Sequence, residues 1–178
     1  VWMRRRQAGL GKFAAIFLLT ALSAGILTLS WKDRSGLRIT CLDVGQGDGI
    51  VLEMPGGGAF LMDCGSSSQK NVGQYQLLPY LKSRGITCLE GIMISHTDTD
   101  HVSGIQELLD LMAKDLSSVK VKKLFLPKWR EDFGVLPELA KRAGVEVIFA
   151  GAGDSLSFGE TEMRFLAPLE NALGEDVN

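Results

Sequence analysis

Histidine is scarce in this 178-residue chain: there are only two, and both lie in one short segment. The three cysteines form no Cys-x-x-Cys pair and are odd in number, which argues against a disulfide scaffold or a cysteine metal site. We interpret them instead as small buried apolar residues. Charge of one sign is also missing, since the formal net charge is −2. The composition as a whole therefore gives no sign of a nucleic-acid-binding protein.

A long apolar run near the N-terminus lies between basic residues. It extends without charge from Phe13 to Trp31, and three arginines at positions 4–6 precede it. About 20 mostly apolar residues suffice to cross a bilayer, so we predict a single transmembrane helix at 13–31 after a basic cytoplasmic stub at 1–12. A linker at 32–38 and a domain at 39–178 would then lie outside the cytoplasm, at the cell membrane. A cleaved signal peptide and a buried core helix are the alternatives.

Three short apolar segments, 38–44, 50–54 and 59–63, are separated by glycine-rich turns and predict an antiparallel or mixed sheet. The first turn, Gly45 to Gly49, lacks the Lys-Ser/Thr of a phosphate-binding loop. It is either a plain tight turn or a functional loop in which Asp48 lines a site. Asp63, at the end of the third segment, either caps a loop or accepts a hydrogen bond from a ligand residue.

The later part of the chain alternates helix and strand patterns. We predict helices at 76–84, 103–114 and 137–143, strands at 121–126 and 145–149, and a hairpin around Gly159. One basic-aromatic cluster stands out among them, and it either follows a phosphate backbone or is a solvated strand edge. It consists of Lys120, Lys122, Lys123, Phe125, Lys128, Trp129 and Arg130.

Four side chains that can bind metals fall within six residues, between a short apolar strand and a helix pattern. In an extended loop, residues two apart point the same way, so His96, Asp98 and Asp100 would converge, and His101 would join them from the helix start. Imidazole and carboxylate together suit Zn²⁺, Mn²⁺ or Fe. The alternative is that Thr99 or Asp100 only caps the helix, which would leave both histidines unexplained.

Four segments in this order carry a resemblance: LDVGQGDG at 42–49, LMDCG at 61–65, LLPYLKSRGI at 77–86 and ISHTDTDHVSG at 94–104. Together they resemble the metallo-β-lactamase-type domain of the ComEC family of competence DNA-channel proteins. The resemblance implies an α+β fold, an αββα sandwich with one or two divalent metal ions, zinc or manganese, at one edge.

Matched to the family motif His-x-His-x-Asp-His, the residues His96, Asp100 and His101 keep their places, and Asp98 stands where the second histidine is usual. An oxygen-rich set shifts the preference toward Mn²⁺ or Mg²⁺ and away from a Zn²⁺ site made of nitrogen ligands alone. The resemblance implies that His96 and Asp98 hold a first ion, that Asp100 and His101 hold a second, and that Asp100 is catalytic. Because no histidine follows His101, we expect a fragment that lacks later ligands, binds metal weakly and turns over poorly.

The function that follows from the resemblance is metal-dependent hydrolysis of DNA phosphodiester bonds during DNA uptake by the intact protein. The expected partners are DNA, the membrane through the N-terminal helix, and other channel subunits. One alternative is a non-catalytic DNA-binding or gating module of a membrane channel. Another is a hydrolase of small esters, thioesters or lactams, because a fold does not fix its substrate.

Overall fold

The computed structural model describes residues 2–30, 35–128 and 132–169, and within the first helix the side chains of residues 12–28. The chain divides into two units, Val1–Asp33 and Arg34–Asn178. The first unit contains the helix α1 (Trp2–Ser30), so the predicted helix is present and begins earlier than expected. Its predicted end at Trp31 lies outside the described residues. The prediction that it spans a membrane is not supported, because no helix in the described residues has the length and apolarity required.

The second unit is organised around a mixed sheet of six strands. The strands in chain order are β1 (Arg38–Cys41), β2 (Gly49–Glu53), β3 (Ala59–Cys64), β4 (Cys88–Leu89), β5 (Gly91–Met93), β6 (Lys120–Val121), β7 (Lys123–Pro127) and β8 (Glu146–Ala150). The main sheet has the order β1-β2-β3-β5-β7-β8, and β4 pairs with β6 separately. Strands β1 to β3 are antiparallel, whereas β5, β7 and β8 join in parallel. The predicted mixed sheet is confirmed.

One face of the main sheet is covered by helices. They are a π-helical turn (Gly73–Leu77), α2 (Leu78–Ser83), α3 (Thr99–Ala113) and α4 (Leu136–Arg142). In α3 the apolar residues recur at helical spacing, so one side of the helix enters the core. Ile105 and Leu108 are fully buried there against strand residues such as Leu61 and Ile92. Burial of each such side chain contributes about 1.5–3 kcal/mol to folding.

The opposite face of the sheet carries the predicted hairpin, formed by β9 (Ser155–Phe158) and β10 (Thr161–Arg164). Phe158 packs edge-on against Phe60 of β3, with ring centroids 5.7 Å apart. Helices, main sheet and hairpin thus supply three of the four layers of the expected αββα sandwich. The fourth layer would be a helix on the outer side of the hairpin, and the described residues contain no helix there.

The cysteines only partly follow the prediction of buried residues. Cys64, at the end of β3, is fully buried, because its side chain faces the helical core. Cys88 is half-buried. Cys41 is exposed, because it lies on β1, the edge strand of the main sheet. All three are free thiols.

The topology decides where the predicted ligands meet. Strands β3 and β5 are parallel neighbours, so the residues that follow them emerge at the same edge of the sheet. Asp63 lies at that end of β3, and Ser95 and His96 come just after β5. Helix α3 begins at Thr99, four residues before its predicted start, because the ligand segment itself supplies its first turn.

Candidate metal centre

Three of the four predicted ligands converge. His96, Asp100 and His101 each offer one donor atom, and these atoms all lie within 4.8 Å of one another. The rings of His96 and His101 face each other with centroids 3.7 Å apart. The first turn of α3 carries Asp100 and His101, and the strand-to-helix connection carries His96. The sequence pattern therefore brings together two imidazoles and a carboxylate at the sheet edge.

Asp98 lies beside this group and is not a member of it. Its Oδ2 is 3.6 Å from Nε2 of His96, and its side chain is 70% exposed. Asp98 occupies the N-cap position of α3 but makes no capping hydrogen bond with its side chain. A capping hydrogen bond therefore does not account for this carboxylate, and its ion-pair partner is the imidazole of His96.

His101 is oriented by a buried carboxylate. Its Nδ1 lies 3.1 Å from Oδ2 of Asp63, whose side chain is 6% exposed. An ionised carboxylate can only accept hydrogen bonds, so the hydrogen of the imidazole sits on Nδ1. Nε2 of His101 then keeps its lone pair, and it points to the side of Asp100, whose Oδ2 is 3.9 Å away. This is the tautomer that a metal ligand needs.

Ser95 extends the same arrangement to His96. Its backbone N–H donates to Oδ1 of Asp63 over 2.9 Å, and its hydroxyl donates to Oδ2 of the same carboxylate. Because the hydrogen of that hydroxyl is already donated to Asp63, its oxygen can only accept a hydrogen bond from Nδ1 of His96, at 3.0 Å. Asp63 thereby orients His101 directly and His96 through Ser95, and leaves Nε2 of each imidazole with its lone pair. Of the two roles considered for Asp63, the structure has it accepting a hydrogen bond from a ligand residue.

Ser95 was not singled out by the sequence patterns. Serine is common before a helix, and nothing in its spacing distinguishes a relay between Asp63 and His96 from an ordinary polar loop residue. Its role depends on the pairing of β5 with the strand of Asp63, which no local sequence pattern contains.

The backbone of Asp63 has an unusual conformation, with φ of 49° in the left-handed region. For a residue other than glycine this costs on the order of 1–2 kcal/mol. The conformation turns the carboxylate from the strand toward Ser95 and His101, where it accepts three hydrogen bonds. Those bonds offset the cost, so the strain is concentrated at the residue that orients the histidines.

Three chain segments meet backbone to backbone beneath the cluster. The N–H of Asp48 donates to the carbonyl of Asp100 over 3.1 Å, and the N–H of Gly65 donates to the carbonyl of Asp48 over 2.9 Å. A Cβ on Gly65 would lie 2.5 Å from the carbonyl oxygen of Thr99, and one on Gly47, where φ is +154°, would lie 2.6 Å from that of Asp100. Both positions require glycine, and the glycine-rich turn is therefore part of the site.

The predicted basic cluster is not gathered at the site. Lys122 precedes β7, at the sheet edge opposite the histidines, and its ammonium pairs with Glu90 at 2.6 Å. Lys128 follows β7 at the histidine edge, but it pairs with Asp154 at 2.7 Å. The end of the cluster, Trp129 and Arg130, lies outside the described residues. Within the described part, the cluster is split between two edges because a strand separates its members.

The donor set fits a divalent cation. Two imidazole nitrogens and a carboxylate oxygen within a few ångströms are ligands of the kind found in Zn²⁺ and Mn²⁺ sites. Each imidazole also has a hydrogen-bond partner on its other nitrogen, buried Asp63 for His101 and exposed Ser95 for His96, as metal-binding histidines usually do. The donors do not by themselves distinguish these two metals.

The chain is similar in sequence to known proteins. The family model of the metallo-beta-lactamase superfamily matches residues 42–166. ComE operon protein 3 of Bacillus subtilis is 30% identical over 147 residues, which are 73% of this chain and 18% of that protein. Recombination protein 2 of Haemophilus influenzae is 34% identical over 94 residues, 52% of this chain and 12% of that protein. The chain therefore spans less than a fifth of these relatives, and the similarity confirms the predicted resemblance to the ComEC family.

Among solved structures, a diphosphatase of the PhnP family aligns with a TM-score of 0.45 at 13% identity, covering 67% of this chain and 42% of its own. The B3 metallo-beta-lactamase BLEG-1 aligns with a TM-score of 0.42 at 19% identity, covering 71% and 59%. The matched family model covers five of the six strands of the main sheet, from β2 onward, together with the ligand segment and the hairpin. This chain belongs to the metallo-beta-lactamase superfamily.

Proposed function

We propose that this chain is a metal-dependent hydrolase domain whose substrate in the intact protein is the phosphodiester backbone of DNA. The observation that carries the hydrolase part is the convergence of His96, Asp100 and His101, with their donor atoms within 4.8 Å and both imidazoles oriented through Asp63. The DNA part is supported by the ComEC-like motifs and not by surface charge, since Lys122 lies at the opposite edge of the sheet and Lys128 is paired with Asp154.

The residues would divide the work as follows. His96, Asp100 and His101 would hold a Mn²⁺ or Zn²⁺ ion, and Asp98 would contribute from beside His96. A divalent cation supplies Lewis-acid polarisation of the scissile group and favours the ionisation of water. Asp100, with a side chain 37% exposed, faces both His101 and solvent, so it is placed to orient an attacking water and to accept its proton. Asp63 and Ser95 would keep the imidazoles in the required tautomer.

The test is a DNA-cleavage assay on the full chain with Mn²⁺, with Zn²⁺ and with EDTA, using plasmid and single-stranded substrates. We expect slow cation-dependent cleavage, in keeping with the poor turnover predicted for this chain, and a rate at least about 100-fold lower in Asp100→Ala, the usual scale for a lost acid-base group. Asp110→Ala is the matched control, because Asp110 lies on the same helix and pairs with Lys114 on its far turn.

The result decides between the classes considered. Equal rates in Asp100→Ala and wild type would remove Asp100 from the mechanism. Salt-dependent binding of single strands, with neither cleavage nor bound metal, would favour a non-catalytic DNA-binding module instead.

A further inference from the structure

Asp48 lies next to the candidate metal centre, at the tip of the glycine-rich turn between β1 and β2. Its Oδ2 is 3.6 Å from Nδ1 of His101, and its side chain is 59% exposed. The single hydrogen on that Nδ1 is already directed to the closer oxygen of Asp63 at 3.1 Å. Asp48 therefore has no hydrogen bond to gain from His101, and its position near the imidazole needs another explanation.

The position of Asp48 is fixed by its backbone. Its N–H and its carbonyl are both used, the first by the carbonyl of Asp100 and the second by the N–H of Gly65. The preceding Gly47 has no room for a side chain against the carbonyl of Asp100. The turn is held further by the N–H of Gln46, which donates to the hydroxyl of Ser68 over 2.8 Å. These contacts fix the backbone of Asp48 and so hold its carboxylate at the rim of the site.

The charge of this rim is unbalanced. Four carboxylates surround two imidazoles, and their ion pairs within the described part of the chain are with histidine alone. Carboxylates this close repel one another unless a cation lies among them. The four are Asp48, Asp63, Asp98 and Asp100.

We propose that Asp48 is a positioning residue of the metal centre, whose charge strengthens the binding of a divalent cation by His96, Asp100 and His101 without ligating it. The inference rests on the proposed function, because it presupposes that these three residues bind a cation. Asp48 lies outside the group of donor atoms within 4.8 Å, so it acts through the field at the site and through His101. A residue of this kind affects metal affinity about 10-fold or more.

The experiment is calorimetric titration of the full chain with Mn²⁺ at low salt and at 1 M salt. Asp48→Asn removes the charge and keeps the shape, Asp48→Glu keeps the charge, and Asp43→Asn removes an exposed carboxylate from the same connection. We expect Asp48→Asn to bind Mn²⁺ at least about 10-fold more weakly at low salt. Asp43→Asn should bind as wild type does, and Asp48→Glu should retain most of the affinity. Because salt screens exposed charges, the loss in Asp48→Asn should shrink at 1 M, whereas a structural defect would persist.

Each outcome bears on the inference. Wild-type affinity in Asp48→Asn, or a loss in that variant that is the same at both salt concentrations, overturns the role of Asp48 and leaves the proposed function standing. If wild type itself binds no Mn²⁺ or Zn²⁺, both are overturned. Should Asp48→Asn fail to fold, Asp48→Ser, which also removes the charge, decides by the same comparison: a loss of about 10-fold at low salt that shrinks at 1 M supports the role, and wild-type affinity or a loss independent of salt contradicts it.

Discussion

Replacing Asp63 by asparagine should disturb the orientation of the histidines, and so weaken metal binding, while the chain still folds. The carboxylate accepts from the N–H and hydroxyl of Ser95 and from Nδ1 of His101. An asparagine can still accept the N–H of Ser95, but its NH₂ group then faces donors where Oδ2 accepted. The lost acceptor costs about 1–3 kcal/mol of folding stability. The loss of histidine orientation lowers Mn²⁺ affinity about 10–100-fold, or about 1.4–2.8 kcal/mol.

Two measurements test this prediction: Mn²⁺ titration by calorimetry, and urea unfolding of the metal-free chain in EDTA. The matched control is Asp115→Asn, because Asp115 has a similar φ of 55° but lies exposed at the end of α3. It should leave both quantities unchanged. If Asp63→Asn binds Mn²⁺ within twofold of wild type, Asp63 does not set the imidazoles and the reasoning fails. The same holds if Asp115→Asn loses as much affinity.

Three further predictions concern packing, pH and thiol chemistry. Gly65→Ala should lose about 1–3 kcal/mol in urea unfolding, because its Cβ meets backbone atoms at 2.5 Å, while Gly36→Ala, with nothing within 4 Å, should not. The hydrogen bond from the Arg84 guanidinium lowers the pKa of Glu53, so the pair stabilises the fold above about pH 4.3, and this contribution is lost as the pH falls through the lowered pKa. In Arg84→Met, the free energy of unfolding measured in urea should therefore fall less steeply as the pH is lowered in this range. Burial, with smaller effects of neighbouring carboxylates, raises the pKa of Cys64 to about 12, so a thiol reagent at pH 8 should label it only after unfolding, and labelling of the folded chain would contradict that burial.

Much of the fold could be predicted from sequence because most of its helices and strands have recognisable local sequence patterns. The hairpin turns rich in glycine mark the strands β1 to β3, and the apolar spacing after Val102 marks α3. Element boundaries were less accessible, since tertiary contacts decide them. The segment before Leu78 winds as a π-helical turn, where the spacing suggested only one α-helix. The strand order, which interposes β5 between β3 and β7, depends on contacts that no local pattern contains.

The candidate site shows the same division. His96, Asp100 and His101 could be recognised because they are neighbours in sequence, and a single turn gathers them. The alternation rule for extended chain placed Asp98 beside His96, where it does lie, with its Oδ2 3.6 Å from Nε2 of His96. Asp100 joins the cluster for a different reason, because it belongs to the first turn of α3, to which that rule does not apply. For Asp48 and Asp63, which come from distant segments, the sequence left two roles open each, because their distance from the site depends on how the strands are ordered.

The contact between the glycine-rich turn, the end of β3 and the start of α3 has a consequence for how the protein can vary. Since backbone atoms pack directly against one another there, at Gly47, Gly65 and Thr99, the spacing between the carboxylates and imidazoles depends strongly on peptide geometry, and side-chain bonds such as that from the Ser66 N–H to the Ser103 hydroxyl add to it. Exchanges of surface residues nearby can accumulate without displacing the ligands. A single inserted residue in any of the three segments would disassemble the pocket at once.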